Sequence, residues 1–211
     1  MNITLYGIAP YDRGGKVRWL LEEMGLPYEN RWLDRDKKEH EGEAYLKVNP
    51  LGRVPAVQID GKSIFESGAI CAYVADRFLD KGMAPDLNDP FRAEYQQWLY
   101  FASATIDPFA TRIMIIEDIP PGDYFHEKSS ALFAEVKDAA ELLNTVLTHQ
   151  DYLVNGHFSA ADIGVSYHLY FCKLWPELKV IIDAYPYLNR YLERVMARPA
   201  AVKAKVFTFE E

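Results

Sequence analysis

Short runs that contain β-branched, aromatic or other apolar residues mark four strands in the first third of the chain. They lie at residues 2–6, 28–33, 56–59 and 63–65, and residues that favour turns flank them. Such runs between turn signals are typical of buried β-strands. The last two runs are joined by Asp60-Gly61-Lys62, which favours a tight hairpin turn. We therefore predict that these two strands pair antiparallel.

Helical spacing of apolar residues alternates with these strands. One amphipathic helix is predicted after the first strand, ending at Gly25 and Pro27, a short one near 43–47, and a third after the fourth strand. The first and third are defined by Val17, Leu20, Leu21 and Met24, and by Ile70, Val74 and Phe78. The order β-α-β-α-β-β-α predicts a thioredoxin-like α/β domain over residues 1–79, with a mixed four-stranded sheet and helices on both faces.

The pattern changes after residue 79. Residues 80–89 combine charged and turn-forming residues without a sustained period, which predicts a linker between domains. Residues 90–211 carry helical periods and no strand pattern, so we predict an all-helical C-terminal domain.

The helical domain is expected to begin at Asp89-Pro90, acting as the cap and first residue of a helix that continues towards Ile116. Ser159 and Asp162 have the spacing of a capping box, which indicates a role in folding. Other predicted features are a helix end at 119–123, and helices at about 125–149, from Ser159 to Phe171, and around 187–195 with Arg198-Pro199 as its stop.

The segment around the hairpin carries groups that can hold a peptide-like ligand. Pro55 removes one ladder donor at the start of the third strand, and an X-Pro bond at this position makes a cis peptide bond accessible. The backbone N–H and C=O of Val54 are then able to pair with an extended peptide. Beyond the hairpin, Ser67 begins a helix whose open N-terminus favours a carboxylate, and Glu66 provides a negative group for an ammonium.

The runs NPLGRVPAV (49–57) and ESGAICAYVADRF (66–78) resemble the glutathione-binding half of the soluble glutathione transferases, of bacterial type and with no class assigned. The resemblance covers essentially the whole chain. It implies a thioredoxin-like domain followed by an all-helical domain, with glutathione as co-substrate and no metal. It also implies that Val54 and Pro55 hold the cysteinyl backbone of glutathione, that Glu66 and Ser67 hold its γ-glutamyl end, and that the protein is a homodimer.

This family lowers the pKa of the glutathione thiol at the junction of the first strand and first helix, with a hydroxyl or thiol donor and the positive end of the helix. The chain departs from that pattern, because residues 7–18 contain no Ser or Cys. Three alternatives are open. The hydroxyl of Tyr11 is the first, that of Tyr6 the second, and Arg13 or the backbone N–H groups of Gly14 and Gly15 the third.

Arg53 is expected to pair either with a glutathione carboxylate or with solvent, and Lys37, Lys38 and His40, in the loop after the second strand, are weaker candidates for the glycyl end. The acceptor is expected between the two domains, in an apolar pocket where an arginine would favour an anionic group. The residues expected to line it are Tyr100, Phe101, Thr105, Phe109 and Arg112, with Tyr167, Phe171 and Trp175 from later helices. Each of the aromatic residues also fits a helical core.

Composition excludes several other classes. A net charge of −8 and no basic cluster argue against binding nucleic acid or an anionic membrane. Cys71 and Cys172 form no C-x-x-C pair, and the five histidines have no metal-ligand spacing. We expect no membrane-spanning run and no signal peptide, and hence a cytoplasmic location.

The resemblance thus implies a dimeric glutathione transferase that acts on small apolar electrophiles, with the cytoplasm as its expected location. A second hypothesis keeps glutathione but assigns isomerisation, dehalogenation or peroxide reduction. A third is a non-catalytic binding protein on the same fold, motivated by the missing Ser or Cys. A thiol–disulfide oxidoreductase is disfavoured because no cysteine stands at the start of the first helix.

Overall fold

Four strands form a mixed sheet in the order β2-β1-β3-β4 in the computed structural model, which describes residues 2–117, 120 and 122–207. The two central strands, β1 and β3, pair antiparallel, β1 pairs parallel with β2, and β3 pairs antiparallel with β4. The strands are β1 (Ile3–Gly7), β2 (Glu29–Trp32), β3 (Ala56–Ile59) and β4 (Lys62–Phe65). The predicted four-stranded mixed sheet is confirmed.

Three helices belong to the same part of the chain: α1 (Gly15–Glu23), α2 (Glu43–Leu46) and α3 (Ser67–Arg77). Successive strand side chains point to opposite faces, and both faces of β1 are covered. Tyr6 packs in a cluster with Tyr45 of α2. Leu5, on the other face, is 1% exposed.

Longer helices make up the second part of the chain. They are α4 (Arg92–Phe101), α5 (Asp107–Glu117), α6 (Asp123–Val146), α7 (Ala160–Cys172), α8 (Pro176–Asp183) and α9 (Pro186–Met196), followed by the short α10 (Pro199–Lys203). A π-helical segment, Ala102–Ile106, joins α4 to α5. The run Arg92–Ile116 reaches, by length and composition alone, the apolarity of a membrane span, with a mean hydropathy of 1.2. A core helix of a soluble protein meets the same criterion.

The chain divides into two units that differ from the predicted domains at the C-terminal end. The α/β unit combines the chain up to Asp86 with the residues from Met196 onward, and the helical unit runs from Leu87 to Val195. The residues from Met196 onward, which the prediction included in the helical domain of 90–211, group with the first unit.

Side chains of α1 hold this C-terminal segment. The guanidinium of Arg198 donates two hydrogen bonds to the Glu23 carboxylate at 2.6 and 2.8 Å. Lys203 pairs with Glu22 at 2.6 Å. The Trp19 and Phe207 rings meet edge to face, with centroids 5.2 Å apart. Long-range ionic and aromatic pairing of this kind leaves no periodic signal in the sequence, which is why the segment was predicted with its neighbours.

Two features of the helical unit also depart from prediction. Asp89 does not cap α4, since its carboxylate accepts a hydrogen bond from the Phe91 N–H and the helix begins at Arg92. Helix α8, which has Pro at its first position, was not predicted. The predicted helix end at 119–123 includes residues 119 and 121, which lie outside the described residues.

Candidate glutathione site

Three chain segments converge at one end of the sheet. In the strand register Ala56 lies opposite Tyr6 on one side and Phe65 on the other. Residues 54–55, just before β3, therefore lie beside residues 66–67, just after β4, and beside the loop that follows β1. A side-chain carbon added at Gly14 of that loop would lie 3.3 Å from Cβ of Pro55, so the loop and the proline are in contact.

The backbone before β3 is held by two side chains that the sequence analysis did not single out. The Tyr45 hydroxyl and the Asn49 side-chain amide both donate to the carbonyl of Arg53 at 2.7 Å. Asn49 is 2% exposed, and its side-chain oxygen accepts from the Leu51 N–H at 3.1 Å. Burial raises the pKa of the Tyr45 phenol, so it remains a donor.

Val54 lies outside the sheet ladder that begins at Ala56. The Val54–Pro55 peptide bond is cis, as the sequence predicts. Within the described residues the Val54 backbone makes no hydrogen bond. An extended peptide can pair with these two groups in the manner of an added strand.

Helix α3 begins at Ser67 without a side-chain cap. Ser67 is 7% exposed, and its hydroxyl has no partner in the described part of the chain. Glu66 precedes it with a φ of 69°, a left-handed conformation that is uncommon for residues other than glycine. Such conformations cost energy and cluster at functional sites. The start of α3 thus presents a hydroxyl, open N–H groups and an exposed carboxylate side by side.

The loop between β1 and α1 is organised by Asp12. Its carboxylate accepts hydrogen bonds from Ile8 N–H at 2.7 Å, Ala9 N–H at 3.2 Å and Gly14 N–H at 2.6 Å. The Gly15 N–H donates to the Asp12 carbonyl at 2.8 Å. Both glycine N–H groups considered as thiolate donors are therefore occupied within the loop, which weighs against the backbone part of the third alternative and leaves Arg13 as its other part.

The two tyrosine candidates differ in accessibility. Tyr11 is 43% exposed on the loop. Tyr6 is 6% exposed, and its hydroxyl donates to the side-chain oxygen of Gln58 at 2.7 Å. Its ring also packs against Tyr45, with centroids 5.5 Å apart. The arrangement favours Tyr11 as a donor and Tyr6 as a residue of the sheet core. Arg13 is exposed on the same loop.

His40, on the chain before α2, has one buried nitrogen, Nδ1, with no hydrogen-bond partner among the described residues. Its Nε2 lies 3.5 Å from Glu41. A buried ring nitrogen without a described partner is able to form a hydrogen bond with an oxygen atom of a ligand. A cavity of about 390 Å³ lies nearby, lined by Tyr6, Arg31, Leu33, Lys37, Lys38, Glu39, Gly42, Glu43, Ala44 and Tyr45.

Eight residues of the helical unit were predicted to line the acceptor pocket. Phe109 and Tyr167 are 2% and 1% exposed, and the Tyr167 ring packs on Phe171 with centroids 4.8 Å apart. The Phe109 and Tyr167 rings therefore belong to the core of the helical unit. Tyr100 is 72% exposed, and Arg112 is paired with Glu135, one of its nitrogens lying 2.9 Å from a carboxylate oxygen. Thr105 is partly exposed in the π-helical segment.

Neither metal nor thiol chemistry has a separate site in the described residues. No group of His, Cys, Asp and Glu there is placed to hold a metal ion. Cys71 is 3% exposed, and burial raises the pKa of its thiol to about 11. It is a packed small side chain, as the helix pattern indicates.

Family comparisons agree with the geometry of both units. Residues 1–76 match the family model of the glutathione S-transferase N-terminal domain, and residues 115–194 match that of the glutathione S-transferase C-terminal domain. Glutathione S-transferase 2 of Schizosaccharomyces pombe is 30% identical, with 100% of this chain and 96% of that protein covered.

Two solved structures extend the comparison. Glutathione transferase URE2P6 of Phanerochaete chrysosporium, in complex with oxidized glutathione, is 29% identical with a TM-score of 0.82, covering 96% of this chain and 94% of that one. A glutathione transferase family member from Pseudomonas fluorescens, with two glutathione bound, is 26% identical with a TM-score of 0.83, covering 96% and 91%.

Proposed function

We propose how this chain, which belongs to the glutathione transferase family, holds glutathione and activates its thiol. The chain is a glutathione transferase, an enzyme whose co-substrate is glutathione. One observation carries the assignment of the site: the Val54 backbone, the uncapped start of α3 and the loop before α1 lie together at one end of the sheet.

The γ-glutamyl end of glutathione carries an α-carboxylate and an α-ammonium, and the start of α3 complements both. The carboxylate is held by the Ser67 hydroxyl and the open N–H groups of the first helical turn. The ammonium pairs with the exposed Glu66 carboxylate. The cysteinyl backbone pairs with the N–H and C=O of Val54, which Pro55 keeps out of the ladder.

The glycyl carboxylate has two candidate partners in the same unit. His40 brings a buried nitrogen without a described partner, and Arg53 brings a guanidinium on a backbone fixed by Tyr45 and Asn49. These residues hold the peptide at its second charged end. Together with α3 they would fix the thiol over the loop that follows β1.

Glutathione supplies a thiol whose thiolate form attacks electrophiles. Tyr11 is the proposed hydrogen-bond donor to that sulfur, since its phenol is accessible and its loop abuts Pro55. Arg13, exposed on the same loop, adds positive charge that favours the thiolate. Tyr6 is the weakest of the three candidates because its hydroxyl is already committed to Gln58.

On the acceptor side, we propose a small apolar electrophile that contacts the accessible residues of the predicted set: Tyr100, Thr105 and Arg112. Phe109 and Tyr167 are buried and belong to the core of the helical unit. We also propose a cytoplasmic homodimer. The alternative activities with glutathione, namely isomerisation, dehalogenation and peroxide reduction, would use the same thiolate and differ at the acceptor. The non-catalytic alternative rests on the Asp12 carboxylate, which fills the loop where the family places its hydroxyl or thiol.

Calorimetric titration with reduced glutathione tests the site. The wild type should bind in the micromolar to low-millimolar range, and the Glu66→Ala, Ser67→Ala double variant should lose at least about tenfold in affinity. Glu177→Ala is the matched control, since Glu177 is an exposed acid in the first turn of α8. Equal binding by wild type and double variant would overturn the assignment, and absence of binding to the wild type would favour the non-catalytic alternative.

A further inference from the structure

Arg18 is a buried charged residue of the α/β unit. It lies in the second turn of α1 and is 5% exposed. Its Nε donates to the Ala204 carbonyl at 2.9 Å, and its Nη2 donates to the Pro10 carbonyl. The guanidinium carbon also lies 5.3 Å from the centre of a Trp32 ring. The Arg18 side chain therefore contacts three segments: the loop before α1, the end of β2 and the segment after α10.

No carboxylate pairs with Arg18 within the described residues. Burying a charge without an ionic partner is costly, and hydrogen bonds to two carbonyls and an aromatic face offset that cost only in part. The nearby ion pairs Glu23–Arg198 and Glu22–Lys203 already attach the C-terminal segment to α1. Attachment alone therefore does not account for a buried guanidinium at this position.

The contact with Pro10 gives Arg18 a functional place. Pro10 precedes Tyr11, and it lies inside the loop whose N–H groups at Ile8, Ala9 and Gly14 gather on the Asp12 carboxylate. The space here is tight, since a side-chain carbon at Gly7 would lie 2.9 Å from the Trp32 ring and 3.0 Å from the Asp12 carboxylate. The Arg18 guanidinium holds this loop at the Pro10 carbonyl. The Asp12 carboxylate holds it at the N–H groups of Ile8, Ala9 and Gly14.

We propose that Arg18 is the positioning residue of the thiol-activating loop, holding Pro10 and so Tyr11 in place while the Ala204 carbonyl holds Arg18. This inference rests on the proposed glutathione site. The guanidinium acts through the loop and does not contact the substrate.

The test compares Arg18→Lys with Arg198→Gln. Lysine keeps the charge but cannot bridge two carbonyls with a planar fork. Arg198→Gln breaks a neighbouring contact between α1 and the C-terminal segment without touching the loop. Turnover of glutathione with a chlorodinitrobenzene is measured against pH, and amide hydrogen exchange is measured on the protein without ligand.

Arg18→Lys should lower kcat about tenfold and move the thiol-dependent limb of the pH profile to higher pH, with KM for glutathione within about twofold of wild type. The amides of Ile8, Ala9 and Gly14 should exchange faster. Arg198→Gln should lower the melting temperature and leave kcat, pH profile and loop exchange unchanged.

Unchanged loop exchange in Arg18→Lys would overturn the proposal, as would an equal loss of kcat in Arg198→Gln. If the wild type binds no glutathione, the proposed function fails. Faster loop exchange would then still show that Arg18 positions the loop, so the two failures are distinguishable.

Discussion

Two helices of this chain begin next to a buried serine, and their surroundings differ. At the start of α7, Ser159 and Asp162 form a capping box, and the Asp162 carboxylate accepts from Ser159 N–H, from the Ser159 hydroxyl and from Leu153 N–H at 2.9 to 3.0 Å. At the start of α3, neither Glu66 nor Ser67 caps the helix among the described residues.

The difference separates a folding role from a binding role. A helix start whose N–H groups are paired within the chain stabilises the fold and has nothing left for a ligand. A start with open N–H groups and an unpartnered hydroxyl is an anion site. The positive φ of Glu66 is energetically unfavourable, and no side-chain capping hydrogen bond at the start of α3 compensates for it.

Removal of the α7 carboxylate should have the largest effect. Asp162→Ala leaves three buried donors without an acceptor, and we expect the free energy of unfolding at pH 7 to fall by about 3–4 kcal/mol. Denaturant titration measures this. Glutathione affinity of the folded fraction should not change, and a loss below about 1 kcal/mol would contradict a structural role for this capping box.

Stability should also depend on pH through Asp162. Burial raises the pKa of this carboxyl from 3.8 to about 6. The folded state therefore binds the proton more tightly than the unfolded state. Protonation of Asp162 thus stabilises the fold, and this contribution is fully present below about pH 4 and is lost as pH rises through about 6. The deficit of Asp162→Ala should be larger at pH 4 than at pH 7, by up to about 3 kcal/mol. A deficit that grows with rising pH would contradict this sign.

Both helix starts could be predicted from sequence because their signals are local. Ser159 and Asp162 have a fixed spacing, and Glu66-Ser67 follows a hairpin whose turn residues are explicit. The cis bond at Val54–Pro55 was predictable for the same reason. The mixed sheet could be predicted from the order of strand and helix patterns along the chain, because short connections between elements allow only a few sheet topologies.

Contacts that depend on an irregular loop conformation, or on residues far apart in the chain, were not predictable. Asn49 and Tyr45 hold the Arg53 carbonyl, and Arg18 reaches Ala204, 186 positions further along the chain. The role of Asp12 depends on a loop conformation that brings three N–H groups to one carboxylate. None of these contacts produces a period or a motif.

Loss of the open serine should affect binding and leave folding intact. Ser67→Ala removes one hydroxyl at α3, and we expect glutathione affinity to fall about tenfold, which is about 1.4 kcal/mol. The free energy of unfolding should stay within about 0.5 kcal/mol of wild type, because the hydroxyl has no described partner to lose. A loss of stability larger than the loss of affinity would place Ser67 with the folding residues.

The smallest change is expected for the matched serine of α7. Ser159→Ala removes a hydroxyl that accepts from Ala161 N–H at 3.3 Å and donates to Asp162. The carboxylate keeps its bonds to the Ser159 and Leu153 N–H groups, so unfolding should become easier by only about 1 kcal/mol. Thermal unfolding and calorimetry on both serine variants complete the comparison. Ser67→Ala should change affinity alone and Ser159→Ala stability alone, and an effect of Ser159→Ala on glutathione affinity would show that the two helix starts do not divide binding from folding.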